Sequence, residues 1–91
     1  MSPFMGGSAV AMAGQVADGY TLVTAVQLKR LTDPEMDQLL FELERILRDL
    51  RGTVIPLEDV AAIQTKNRKL ARINGAVQQI QATRAQRRRR M

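Results

Sequence analysis

The sequence predicts an all-α fold: an antiparallel two-helix hairpin with a flexible N-terminal arm and a basic C-terminal tail. Three observations predict it. Apolar residues fall at helical spacing in two stretches, 36–50 and 60–80, with a short Gly/Pro connection between them. A strong helix-start signal, Thr32-Asp33-Pro34-Glu35, precedes the first stretch. The one strand-like run, Tyr20-Thr21-Leu22-Val23-Thr24, has no second strand to pair with.

Residues 1–25 read as a flexible arm. They are rich in Gly, Ala, Ser and Met, carry few charges, and hold no sustained period of 3.6 or 2. A competing reading is a downstream start at Val26, which would leave Val26-Gln27-Leu28-Lys29-Arg30 as a short N-terminus.

The hairpin occupies residues 26–82, with helices at about 33–51 and 57–82. At its start, Thr32 with Glu35 fits a capping box, in which each side chain bonds the other residue's backbone N–H. The alternative is Asp33 as cap with Pro34 in the first helical position. Leu31 is placed to staple onto the first turn. Met36, Leu39, Leu40, Leu43, Ile46, Leu47 and Leu50 then form one apolar stripe. Gly52 is the expected left-handed cap. Pro56 is expected to open the second helix, with Glu58 and Asp59 at its positive end. Val60, Ile63, Leu70, Ile73, Val77 and Ile80 make the second stripe, and Asn67 falls on or beside it. Gly75 interrupts that helix, either as a weak point or to admit the close approach of another element. Residues 83–91 are read as an Arg-rich tail.

Charge is distributed unevenly. The chain carries a formal net charge of +5. Residues 60–91 contain no acid, while residues 32–51 hold six acids against three bases. A basic surface without neutralising partners attracts a polyanion, of which nucleic acid is the commonest. The candidate RNA-binding residues are therefore Lys66, Arg68, Lys69, Arg72, Arg84, Arg87, Arg88, Arg89 and Arg90. Lys66, Lys69 and Arg72 share a helix face, and arginine adds bidentate phosphate contacts. With three aromatics in the chain, backbone contact is expected rather than base stacking.

Other chemistries find little support. Without Cys or His the usual zinc and transition-metal ligands are missing, and no cofactor motif is present. Ser2 and Ser8 have no histidine base. Glu42 and Glu44 are two apart and diverge on a helix, where the pairs Glu44 with Arg48 and Arg45 with Asp49 are expected instead. The chain is thus read as a non-enzyme. The least polar stretch, 6–26, is broken by Gln15, Asp18 and Gly19, so no membrane span is expected. No basic residue precedes it as in a signal peptide, so a cytoplasmic location is expected.

The order of parts resembles bacterial large-subunit ribosomal protein twenty-nine. The resemblance rests on Leu28-Lys29-Arg30-Leu31-Thr32-Asp33-Pro34-Glu35-Met36, Leu40-Phe41-Glu42-Leu43, Leu47-Arg48-Asp49-Leu50-Arg51 and Asn67-Arg68-Lys69-Leu70-Ala71-Arg72-Ile73. It covers residues 26–82 and implies a helical hairpin on ribosomal RNA beside neighbouring ribosomal proteins, with Arg68, Lys69 and Arg72 as phosphate contacts. A second reading is a homodimeric interaction or assembly module. In it a four-helix bundle buries the 36–50 stripe against its twin, and Asn67 sets the register.

Overall fold

The computed structural model describes residues 7–89. Among them lie four helices and no strand: α1 Ala9–Asp18, α2 Ala25–Leu28, α3 Asp33–Gly52 and α4 Val60–Arg89. The all-α class expected from the sequence is what the structure shows.

α3 forms for the reasons its sequence gives. Thr32 Oγ1 accepts the Glu35 N–H at 3.3 Å, and Glu35 Oε1 accepts the Thr32 N–H at 2.8 Å. Thr32 is therefore the cap, and Pro34 sits in the first turn, where a missing N–H costs nothing. Leu31 and Met36, on either side of the box, are both buried in the same core, at the positions a staple uses. Met36, Leu39, Leu43 and Leu47 are buried, while Leu40, Ile46 and Leu50 flank them half-buried. Phe41 lies at the rim, 58% exposed. Arg45 pairs with Glu42 at 3.3 Å instead of with Asp49, and no ion pair joins Glu44 to Arg48.

The end of α3 departs from expectation. Gly52 belongs to the helix and has no positive φ. Thr53 leaves in an extended conformation and serves the last turn itself. Its N–H donates to Leu50 O and its hydroxyl to Asp49 O. Those bonds remove the need for a left-handed residue. The start of α4 also shifts. The Asp59 N–H closes a turn onto Pro56 O, and Asp59 Oδ1 accepts the Ala62 N–H at 3.1 Å. Asp59 is thus the cap, and the helix begins at Val60 instead of residue 57.

The larger difference lies at the two ends of the chain. Residues 9–18, expected within a flexible arm, form α1. Ser8 caps it by accepting the Ala11 N–H, and Gly19 closes it at φ 82°. The Gly19 and Tyr20 N–H groups return to Val16 O and Gln15 O, which is a Schellman motif. Met12, Ala13, Val16 and Ala17 then enter the core. Residues 83–89, expected as tail, continue α4 as helix. They are mostly Ala, Gln and Arg, good helix formers, and Thr83 is still buried. Residues 1–6 of the expected arm, and Arg90 and Met91 of the expected tail, lie outside the described residues.

α1 packs on α3 and α4, and the short α2, capped by Thr24 with Gln27, packs on α4. The largest fully buried side chains are Met12, Leu28, Met36, Leu39, Leu43, Ile73 and Ile80, drawn from all four helices. The stripe that a twin would have covered is covered within the chain, and Asn67 is exposed. Gly75 admits no close neighbour, since a Cβ there would meet nothing within 4 Å. The molecule is 51 Å long, close to the ~45 Å expected for a 30-residue helix, so α4 sets its length.

Candidate nucleic-acid interface

α4 touches each of the other helices, and its cations find the ends of all three. A helix leaves its last carbonyls without intrahelical partners, and the end carries partial negative charge. Lys66 Nζ donates to Thr53 O, just past the end of α3, at 3.0 Å. Arg72 Nη1 donates to Ala17 O in the last turn of α1 at 3.1 Å. Arg87 Nη2 donates to Leu28 O, the last residue of α2, at 3.0 Å and to Leu31 O at 2.8 Å. Three candidate RNA-binding residues are therefore capping groups for helix C-termini.

Carboxylates take a further share. Lys69 Nζ lies 3.5 Å from Asp18 Oδ1, beside the Arg72 contact. Arg84 pairs with Asp37, and Arg87 Nη1 reaches Asp33 Oδ1 at 3.0 Å. The expectation that nothing within the chain neutralises the basic segment is corrected on this point, because Asp18, Asp33 and Asp37 each answer one of its cations. These acids are 52–65% exposed, so each pair is worth on the order of 0–1 kcal/mol and remains open to competition from another anion.

The nine candidates therefore do not form one surface. Lys66, Lys69 and Arg72 bond groups of the chain itself, at Thr53, Asp18 and Ala17. Arg68 is exposed and alone on the first half of α4. Arg84, Arg87, Arg88 and Arg89 gather at the far end, and Arg90 lies outside the described residues. Sequence reasoning missed two residues of this end as site residues, Lys29 and Arg30. They are exposed in the turn whose carbonyls Arg87 holds. Lys29 lines a hollow with Thr83, Gln86 and Arg87. The adjacent Lys29-Arg30 pair was a usable signal, but only the folded chain brings it to the end of α4. Around the corner a second hollow, of 290 Å³, is walled by Asp33, Arg84, Arg87 and Arg88.

Exposed cations whose side chains make no hydrogen bond or ion pair at this end are thus Lys29, Arg30, Arg88 and Arg89, among the described residues. No described aromatic lines either hollow, so the end offers charge and hydrogen-bond donors without a stacking platform. Among the described residues no group of three or more His, Cys, Asp or Glu is placed to hold a metal. No helix there is long and apolar enough to cross a membrane. No protein family, no curated protein and no solved structure matches the chain.

Proposed function

We propose that this chain is a structural RNA-binding component of a ribonucleoprotein assembly, without catalytic activity, and that it grips the phosphate backbone with one basic end. The observation that carries the reading is that Lys29 meets Arg87 in one hollow and Arg84, Arg87 and Arg88 surround a second, with the exposed Arg30 and Arg89 next to them in the chain. The pairing of Asp33 and Asp37 with Arg87 and Arg84, and of Thr53 with Lys66, supports an antiparallel hairpin of α3 and α4. On that reading the hairpin carries this end on two packed helices. Lysine and arginine on such a support suit phosphate contacts that position a protein on RNA without reading its sequence. Ribosomal RNA is the RNA to which the resemblance over residues 26–82 points, with neighbouring proteins completing the assembly. The phosphate contacts move from Lys69 and Arg72, which serve α1, to the end of α4.

The test is titration of a fluorescently labelled short RNA duplex, followed by anisotropy. The full chain binds, and a variant with Lys29, Arg30, Arg88 and Arg89 all changed to Gln binds at least tenfold more weakly with unchanged helical circular dichroism. A wild-type chain with no affinity for the duplex at low salt sinks the proposal.

A further inference from the structure

The hollow between the first turn of α3 and the last turns of α4 has a composition that its structural role does not explain. Arg84, Arg87 and Arg88 stand at i, i+3 and i+4 of α4 and wall it together with Asp33, whose carboxylate is held by Arg87 Nη1 at 3.0 Å and leaves a net charge of +2 on the lining. Such spacing puts three guanidinium groups on one helix face. Like charges brought together this way repel, and the fold supplies only part of what would offset them. Arg87 is anchored by two carbonyls and Asp33. Arg84 has one partner, Asp37, on a side chain 57% exposed. Arg88 is exposed and has none.

Resting on the RNA-binding reading, we infer that this hollow is the seat of one backbone phosphate and that Asp37 is its built-in competitor for Arg84. Arg87, pinned by carbonyls, is the fixed wall. Arg88 supplies a free charge. Arg84 exchanges the Asp37 carboxylate for a phosphate oxygen when RNA docks. A phosphodiester matches what the hollow offers, because a guanidinium gives planar paired donors to a tetrahedral anion. Asp37 holds Arg84 in place when RNA is absent and lowers affinity by the strength of that pair.

Removing the competitor without removing bulk tests this. Asp37→Asn should bind the labelled RNA duplex about two- to fivefold more tightly, the factor that an exposed ion pair represents. Asp49→Asn is the control. It adds the same unit of charge to α3 but lies twelve residues along the helix from Asp37, about 18 Å away. The double variant Asp37→Asn with Arg84→Gln should lose the gain.

Equal tightening by Asp37→Asn and Asp49→Asn would mean a general charge effect and would overturn the seat while leaving RNA binding intact. No change in either variant would overturn it in the same way. Tightening that persists without Arg84 would overturn the exchange. A wild-type chain that fails to bind the duplex at all would overturn the RNA reading and the seat together. Thermal unfolding of each variant separates these results from loss of fold.

Discussion

Gly19 and Gly75 line the same cleft beside Arg72, yet they answer to different constraints. Gly19 sits at φ 82°, and a Cβ there would come within 2.8 Å of the Arg72 guanidinium carbon. Gly19→Ala should therefore cost about 1–2 kcal/mol in the backbone alone and also push Arg72 off Ala17 O, which it reaches at 3.1 Å. Gly75 lies inside α4 with nothing near it. Gly75→Ala should stabilise the chain by up to about 1 kcal/mol through helix propensity, seen as a 4–8 °C rise in Tm, roughly the shift expected for a domain of this size. Paired thermal melts check both. A destabilised Gly75→Ala would show that the cleft must stay open for the fold itself. The contrast also shows the limit of reading glycines in a sequence. Gly75 stands out because it interrupts a helix, but Gly19 is the one that geometry requires.

Among the elements, α1 was the least legible and has the largest consequence. Its buried face is Met12, Ala13, Val16 and Ala17, small residues that give a faint periodic signal, and no charge marks either end before Asp18. α3 was legible almost to the residue, because a capping box and a leucine stripe are both side-chain signals. The basic face was legible as charge but not as function. The carbonyls that Lys66, Arg72 and Arg87 serve belong to the backbone and leave no trace in residue type. Only the fold shows which helix end lies beneath which cation. A chain beginning at Val26 tests the weight of α1 directly. It lacks four of the thirteen buried core residues found among the described residues and uncovers part of the Met36-to-Leu47 stripe. Losing Met12 alone resembles a core truncation of about 2–5 kcal/mol, and domains of this size have little stability to spare. The shortened chain should lose cooperative thermal unfolding or self-associate through the bared stripe, as read by circular dichroism and sedimentation velocity. A monomer that melts cooperatively near the full-length temperature would show that α1 is dispensable.

At the scale of the whole molecule, salt should separate what holds the fold from what binds RNA. The fold rests on a core drawn from four helices and on cations directed at backbone carbonyls, whereas the four ion pairs among the described residues are all partly exposed. Exposed pairs of this kind contribute on the order of 0–1 kcal/mol each. At about 1 M salt the Debye length falls to 3 Å, which weakens them but also relieves the repulsion of a +5 chain. The two effects oppose each other, so the melting temperature should move by only a few degrees. The proposed RNA binding has no such compensation. Lys29, Arg30, Arg88 and Arg89 alone would each release a counterion from the backbone, and four such contacts give at least about a hundredfold weaker binding between roughly 50 and 200 mM salt. On the proposed ribosomal reading, the protein should travel with the large ribosomal subunit at low salt in a sucrose gradient of lysate. A high-salt wash should release it to the top of the gradient still folded. Release as an unfolded chain would mean that the RNA supplies part of the core's stability. Migration at the top of the gradient at every salt concentration would remove the ribosomal assignment and leave the duplex titration to decide whether the basic end meets another RNA.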